Sequence, residues 1–195
     1  MSDRENVELL VAAQRRYQLG VGHYDETLHH VTASIAAAGS AGKADIGALV
    51  FWKRLRADTP WTSAIQHIRD EHVRDLTRIA VAVVNDPALS LQDAGRLGRE
   101  ALLELPGFKS GPALPSALLL AAAPERMAVY DRRAEAGLQQ LGLSSGGRYS
   151  TYMSVLEELL EQLAAAGHRW RPRDVDTALF TLGGPREAPE FSARR

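Results

Sequence analysis

The segment Leu105-Pro106-Gly107-Phe108-Lys109-Ser110-Gly111 separates two helical patterns, and Val129-Tyr130-Asp131-Arg132-Arg133 follows after an apolar run. A helix that ends in Leu-Pro-Gly, followed by a helix that opens at a second glycine, leaves several backbone amides unpaired at one point. Such amides can bind a phosphate oxygen. A plain corner between two helices is the alternative interpretation of the turn. Asp131 is expected either to cap the next helix or to take part in chemistry.

Apolar residues recur at helical spacing along the chain, and no alternating strand pattern is present. The sequence therefore predicts an all-α fold, a compact helical domain with a helix-hairpin-helix motif around the segment quoted above. The predicted helices include one over roughly Asp3 to Leu19, one capped by Asp25, one from near Asp45, one or two between Trp61 and Val84, one from near Ser90, one over Ala113 to Ala123, one that opens at Asp131, a longer one containing Tyr152 and Leu163, and a last one capped by Asp174.

Length and composition narrow the possible classes of protein. A chain of 195 residues without cysteine cannot use disulfides, thiol catalysis, cysteine zinc sites or iron–sulfur clusters. The absence of cysteine makes the reducing cytoplasm the expected compartment. We expect no membrane partner, because no apolar run approaches the ~20 residues of a membrane span and the first residues lack the layout of a signal peptide. A net charge of −1 argues against a strongly adhesive nucleic-acid binder, but it does not define the charge of any one face.

The chain is predicted to form one main unit with a small addition at each end. Residues 1–42 are expected to be an N-terminal helical extension packed on the same domain, and residues 43–184 are expected to be the helical domain itself. The polar and charged residues 185–195 are expected to form a flexible tail.

From Leu105 to Leu143 the chain resembles the helix-hairpin-helix-GPD (HhH-GPD) superfamily of DNA glycosylases. The likeness lies in the order of the parts: a Leu-Pro-Gly hairpin, an apolar helix, a bend with a proline, an aspartate before a helix, and a Leu-Gly ending. It extends less specifically over roughly Asp45 to Gly184. Two departures are visible, since the turn is two residues longer than the usual hairpin and Tyr-Asp-Arg replaces the common Val-Asp-Thr-His.

The resemblance implies a base-flipping enzyme that hydrolyses the N-glycosidic bond of a damaged or modified base. Asp131 would be the catalytic carboxylate, and the enzyme would be monofunctional, because Ala113 and Ala117 stand where relatives carry a nucleophilic lysine. Double-stranded DNA would be the partner, with phosphate contacts through the hairpin and the residues beside the acid. The implied DNA-binding residues are Gly107, Phe108, Lys109, Ser110, Gly111, Arg132 and Arg133.

Two other functions remain open on the sequence, a catalytically inactive helix-hairpin-helix DNA-binding protein and a helical protein-interaction module. No metal or cofactor is expected, since His67 and His72 are five residues apart and do not share a helical face. The group Phe51-Trp52-Lys53-Arg54 either lines a base pocket or packs in the core. The basic segment His168 to Arg173 either touches nucleic acid or is an exposed loop without a partner. The base released and the oligomeric state are left open.

Overall fold

The computed structural model describes residues 2–20 and 22–184, which form ten α-helices and no strand. The predicted all-α class is confirmed for this part of the chain. Within it, no helix is long and apolar enough to cross a membrane. The helices are α1 Asp3–Gly20, α2 Glu26–Ala38, α3 Lys43–Trp52, α4 Pro60–Gln66, α5 Asp70–Val84, α6 Leu91–Ala101, α7 Ala113–Ala122, α8 Arg132–Gln140, α9 Tyr149–Ala165 and α10 Pro172–Leu182.

Several helix ends lie where local sequence signals place them. The Ser90 hydroxyl accepts a hydrogen bond from the Asp93 amide at 3.1 Å and so caps α6. Gly39 ends α2 in the left-handed conformation, with φ at 65°. Pro60 occupies the first position of α4. Because α4 ends at Gln66 and α5 begins at Asp70, the region that was expected to hold one or two helices holds two.

Two expected caps differ from the prediction. Asp25 directly precedes α2, but its carboxylate makes no capping hydrogen bond and instead accepts one from the Trp52 indole at 3.1 Å. Helix α10 begins two residues before Asp174, and the Asp174 carboxylate accepts a hydrogen bond from the Arg171 amide at 2.9 Å. The Asp25 carboxylate therefore satisfies a tertiary donor in place of the α2 amides, whereas Asp174 supports the start of α10 from the third helical position, as in a capping box.

Helix α7 lies at the centre of the molecule. Its eight consecutive residues from Leu114 to Ala121 are all buried, and it packs against α2, α3, α5 and α6. A helix that is apolar on every side is stable in water only when other helices surround it. The buried hydrophobic residues of the described chain join this helix in one core.

The first two helices pack onto the rest of the molecule. Helix α1 lies against α9 and α10, and α2 lies against α3 and α7. The division into an extension and a domain stays a prediction, and the predicted flexible tail 185–195 lies outside the described residues.

Candidate functional site

Asp131 is the N-cap residue of α8. Its Oδ1 accepts hydrogen bonds from the backbone amides of Arg133 at 2.9 Å and Ala134 at 3.0 Å, which are two of the donors that the start of a helix leaves unpaired. The side chain remains 18% exposed. Asp131 therefore serves as the cap that its position predicts, and its carboxylate still meets the surface.

The second carboxylate oxygen of Asp131 pairs with a lysine from a distant part of the chain. Lys53 Nζ lies 2.7 Å from Asp131 Oδ2, although the two residues are 78 positions apart in sequence. The Lys53 side chain is only 11% exposed and belongs to the C-cap residue of α3. The end of α3 and the start of α8 therefore meet at this ion pair.

The ion pair keeps Asp131 ionised at neutral pH. Burial alone would raise the pKa of Asp131, but the charge and hydrogen bond of Lys53, together with the two backbone amides, outweigh burial and lower it. A carboxylate that stays ionised can stabilise positive charge on a neighbouring group.

Behind this pair, Asp176 of α10 is almost fully buried. Its Oδ2 accepts hydrogen bonds from Arg173 at 2.6 Å and from the Val129 amide at 3.3 Å. Burial raises the pKa of Asp176 to about 6, even though the charges of Arg173 and Lys53 act in the opposite direction. Arg173 also lies 3.3 Å from Asp25 of the segment before α2.

We refer to Lys53, Asp131, Asp176, Arg173 and Asp25 as the buried charge cluster. The ion pairs form two groups: Lys53 and Asp131 connect α3 to the start of α8, and Arg173 connects Asp176 of α10 to Asp25 before α2. The Trp52 ring lies between the two groups, with its centroid 5.4 Å from the Arg173 guanidinium carbon. Aromatic rings surround the cations, with Lys53 Nζ 5.5 Å from the Trp52 ring centroid and 5.9 Å from that of Phe180. Trp52 is buried, so within the predicted Phe51 to Arg54 group this ring packs in the core.

The hairpin begins with a tight turn. The Phe108 amide donates to the Leu105 carbonyl at 3.2 Å, and Gly107 between them has φ at 86°, as Pro-Gly at the two central positions of a type II turn requires. The Phe108 ring is fully buried. Among the predicted DNA-binding residues, Phe108 therefore has neither a free ring nor a free amide, and it anchors the turn to the core.

The next three residues of the hairpin face solvent. Lys109, Ser110 and Gly111 are exposed, and within the described part of the chain their backbone amides donate no hydrogen bond. Gly111 has φ at 78°. These free amides and the lysine are suited to an anion, as the sequence pattern predicts.

One serine connects the hairpin to the acid. Ser116 Oγ donates to the Pro112 carbonyl at 2.7 Å and accepts a hydrogen bond from the Tyr130 amide at 2.9 Å. Pro112 directly follows the hairpin, and Tyr130 directly precedes Asp131. The two motifs that the sequence places 20 residues apart are therefore held together through the first turn of α7.

Arg132 and Arg133 are exposed in the first turn of α8. Arg133 stacks on the Phe180 ring, with its guanidinium carbon 3.7 Å from the ring centroid. Among residues 2–20 and 22–184, no carboxylate forms an ion pair with Lys109, Arg132 or Arg133. Their charges are available for an external anion.

A cavity of about 380 Å³ lies on the other side of the buried charge cluster, between α1, α2, α7 and α10. Asp25 and Arg173 line it, together with Tyr17, His29 and Thr177 among others. Neither Asp131 nor any hairpin residue lines this cavity. It is therefore separate from the exposed face of the acid. In the described ranges, no group of three or more His, Asp or Glu side chains is placed to hold a metal ion.

Comparison of the chain with protein-family models, with curated proteins and with solved structures finds no match in any of the three. The site is therefore interpreted from its own geometry. Sequence patterns identified Asp131, Arg132, Arg133 and the exposed hairpin residues. They missed the Lys53–Asp131 pair and the role of Asp176, since a pairing across 78 residues leaves no local signal.

Proposed function

We propose that this protein is a monofunctional DNA glycosylase-like enzyme that flips a damaged or modified nucleotide out of duplex DNA and hydrolyses its N-glycosidic bond, with Asp131 as the catalytic carboxylate. One observation carries the proposal: a carboxylate held ionised and partly exposed is tied through Ser116 to a hairpin with free backbone amides. The resemblance to the HhH-GPD superfamily supports the same assignment.

The DNA strand would contact both motifs. The amides of Lys109, Ser110 and Gly111 would hold a phosphate, and Arg132 and Arg133 would hold another on the side of the acid. These contacts position the strand and carry no base specificity. Such a mode of binding is compatible with a net charge near zero, because the contacts need only Lys109, Arg132 and Arg133, which form no ion pair with a described carboxylate.

The chemistry assigned to Asp131 is electrostatic. As the base leaves, positive charge develops on the sugar, and an ionised carboxylate beside the sugar lowers the energy of that state. The same carboxylate can orient the attacking water. Covalent catalysis from α7 is not part of the proposal, because Ala113 and Ala117 provide no amine there.

The test is base release from a panel of duplexes that carry different lesions. We expect the wild-type protein to release one class of base, and Asp131→Asn to lower the rate at least about 100-fold while DNA binding is retained. Asp131→Ser is the matched control for capping, because serine is also a favoured N-cap residue but has no charge. If Asp131→Ser releases base at the wild-type rate, Asp131 is only a cap.

A DNA-binding protein that does not release bases is the second candidate, and one observation favours it. Both oxygens of Asp131 are already occupied, one by the α8 amides and the other by Lys53. Salt-dependent duplex binding with no base released from any duplex of the panel would support this second function. Binding without any salt dependence would argue against both candidates.

A further inference from the structure

The corner that ends α3 beside Asp131 has an unusual backbone. The Leu55 amide donates to the Val50 carbonyl at 2.9 Å, and the Arg54 amide donates to the Phe51 carbonyl at 3.0 Å. This pair of bonds is a Schellman motif with Arg54 at the position where helices usually carry glycine. Arg54 has φ at 51° and is the sole non-glycine residue with positive φ in the described ranges. An arginine here costs stability that a glycine would not.

The described structure gives the Arg54 guanidinium an aromatic neighbour but no carboxylate partner. Arg54 is exposed and forms no ion pair with a described carboxylate, and its guanidinium carbon lies 5.7 Å from the ring centroid of Tyr24. The Tyr24 hydroxyl donates to the Trp52 carbonyl at 2.7 Å, so the ring beneath Arg54 is fixed to the end of α3. The corner therefore presents a guanidinium group from a rigid base.

Phe51 of the same corner is also exposed. Its exposed fraction is 76%, the highest of any aromatic residue in the described part of the chain, whereas the adjacent Trp52 is buried. Exposed single rings are common on protein surfaces, and Phe51 is informative because of its neighbours. Cationic Lys53 and Arg54 follow it within three residues, and Lys53 contacts Asp131.

We infer that Phe51 and Arg54 form a second DNA contact beside the acid, in which the Phe51 ring stacks on a base next to the extruded nucleotide and Arg54 binds a phosphate of the same strand. An exposed ring beside a cation without a carboxylate partner is suited to a nucleic-acid strand, which offers π-faces and phosphates together. An apolar protein partner would instead leave the charge of Arg54 without a counterion. The inference rests on the proposed function and extends its DNA contacts from the hairpin and α8 to α3.

Arg54→Gly tests the phosphate contact, because stability and binding should change in opposite directions. Glycine adopts the left-handed backbone conformation without steric strain, so we expect the melting temperature to rise by roughly 2–4 °C. It also removes a phosphate contact, so duplex affinity should fall and the slope of log affinity against log salt should shrink by about 1. Arg54→Ala keeps the strained conformation and should lose the same affinity without the gain in stability. Arg69→Ala, at an exposed arginine before α5, is the control for a change in surface charge.

Phe51→Ala tests the stacking contact. We expect it to weaken binding to a duplex with an abasic or mismatched site by about 10-fold and binding to an intact duplex by less, since only the former has an unstacked base within reach. Phe51→Trp should restore the affinity. Ile79→Ala, which removes an exposed apolar residue of α5, should leave binding unchanged.

Both sets of variants are measured as binding in the Asp131→Asn background, so that turnover does not affect the readout. If Arg54→Gly and Phe51→Ala bind DNA as tightly as their parent, the inference is overturned while the proposed function stands. If the parent binds no DNA at all, the proposed function fails first. A change in sedimentation mass for Phe51→Ala, without a change in DNA affinity, would assign the ring to a contact between copies of the chain and would also overturn the inference.

Discussion

Replacement of Gly107 by alanine should destabilise the fold more than the same replacement at Gly111, although both glycines lie in the hairpin with positive φ. A Cβ on Gly107 would lie 2.4 Å from Trp61 Cδ2 and 2.5 Å from Cε3, which are atoms of a rigid ring. A Cβ on Gly111 would meet no atom within 4 Å. The two sites therefore share the cost of the backbone conformation and differ in the clash with Trp61.

The magnitudes follow from these two contributions. An alanine at positive φ costs about 1–2 kcal/mol, and forcing an extra carbon into a packed site costs about 1–3 kcal/mol. The gain of about 0.4–1 kcal/mol from a less flexible unfolded chain applies equally to both variants and cancels in the comparison. We expect Gly107→Ala to lower the free energy of unfolding by about 1–3 kcal/mol more than Gly111→Ala.

Urea unfolding of the two variants and the wild type measures this difference, provided that the slopes against urea agree. Trp61→Ala combined with Gly107→Ala is the matched control, because removal of the ring should bring the additional cost of the second substitution down to that of Gly111→Ala. Equal destabilisation by Gly107→Ala and Gly111→Ala would refute the reasoning, since the indole would then not constrain the turn.

Three further predictions concern the acid, the buried carboxylate and the packing of α8. Lys53→Met should raise the pKa of Asp131 in a carboxyl NMR titration, because it removes a positive charge that counteracts the effect of burial. On acidification, the stability that ionised Asp131 contributes should therefore be lost at a higher pH in the variant than in the wild type. Asp176 should titrate near its pKa of about 6, above the unfolded value of 3.8. Its contribution to stability is therefore full below about pH 4 and is lost as the pH rises through about 6. The difference in the free energy of unfolding between wild type and Asp176→Asn, measured in urea across this pH range, checks the prediction. Gly137→Ala should cost several kcal/mol in thermal or urea unfolding, because its Cβ would overlap the Leu179 carbonyl of α10, and a variant as stable as wild type would contradict the close contact of these helices.

Much of the fold could be predicted because it follows from local rules. The apolar pattern of α7 predicts a central buried helix, and Ser90 and Asp131 mark helix starts by their side chains alone. These signals act within one turn of helix, so a single sequence contains them.

The candidate site could be predicted only where its residues are close in sequence. Asp131 and its neighbours stand together at the start of α8, whereas Lys53 reaches the acid only because α3 and α8 meet in the folded molecule. Asp25 shows the same limit, because its position favours a helix cap while its carboxylate binds Trp52 and Arg173. Tertiary partners overrule a local preference that is worth only about 1 kcal/mol.

The buried charge cluster explains why the position of Asp131 depends on the whole fold. Its three carboxylates and two cations balance when Asp176 is protonated, and burial favours that state at acidic pH. Apolar residues of similar volume often stabilise a core as well as buried ion pairs do, so stability alone is a weak reason for such a cluster. An ion pair also has a preferred geometry, and the Lys53–Asp131 pair holds the end of α3 against the start of α8. Lys53 and the two α8 amides therefore orient the Asp131 carboxylate before any ligand arrives, as the proposed electrostatic role in base release requires.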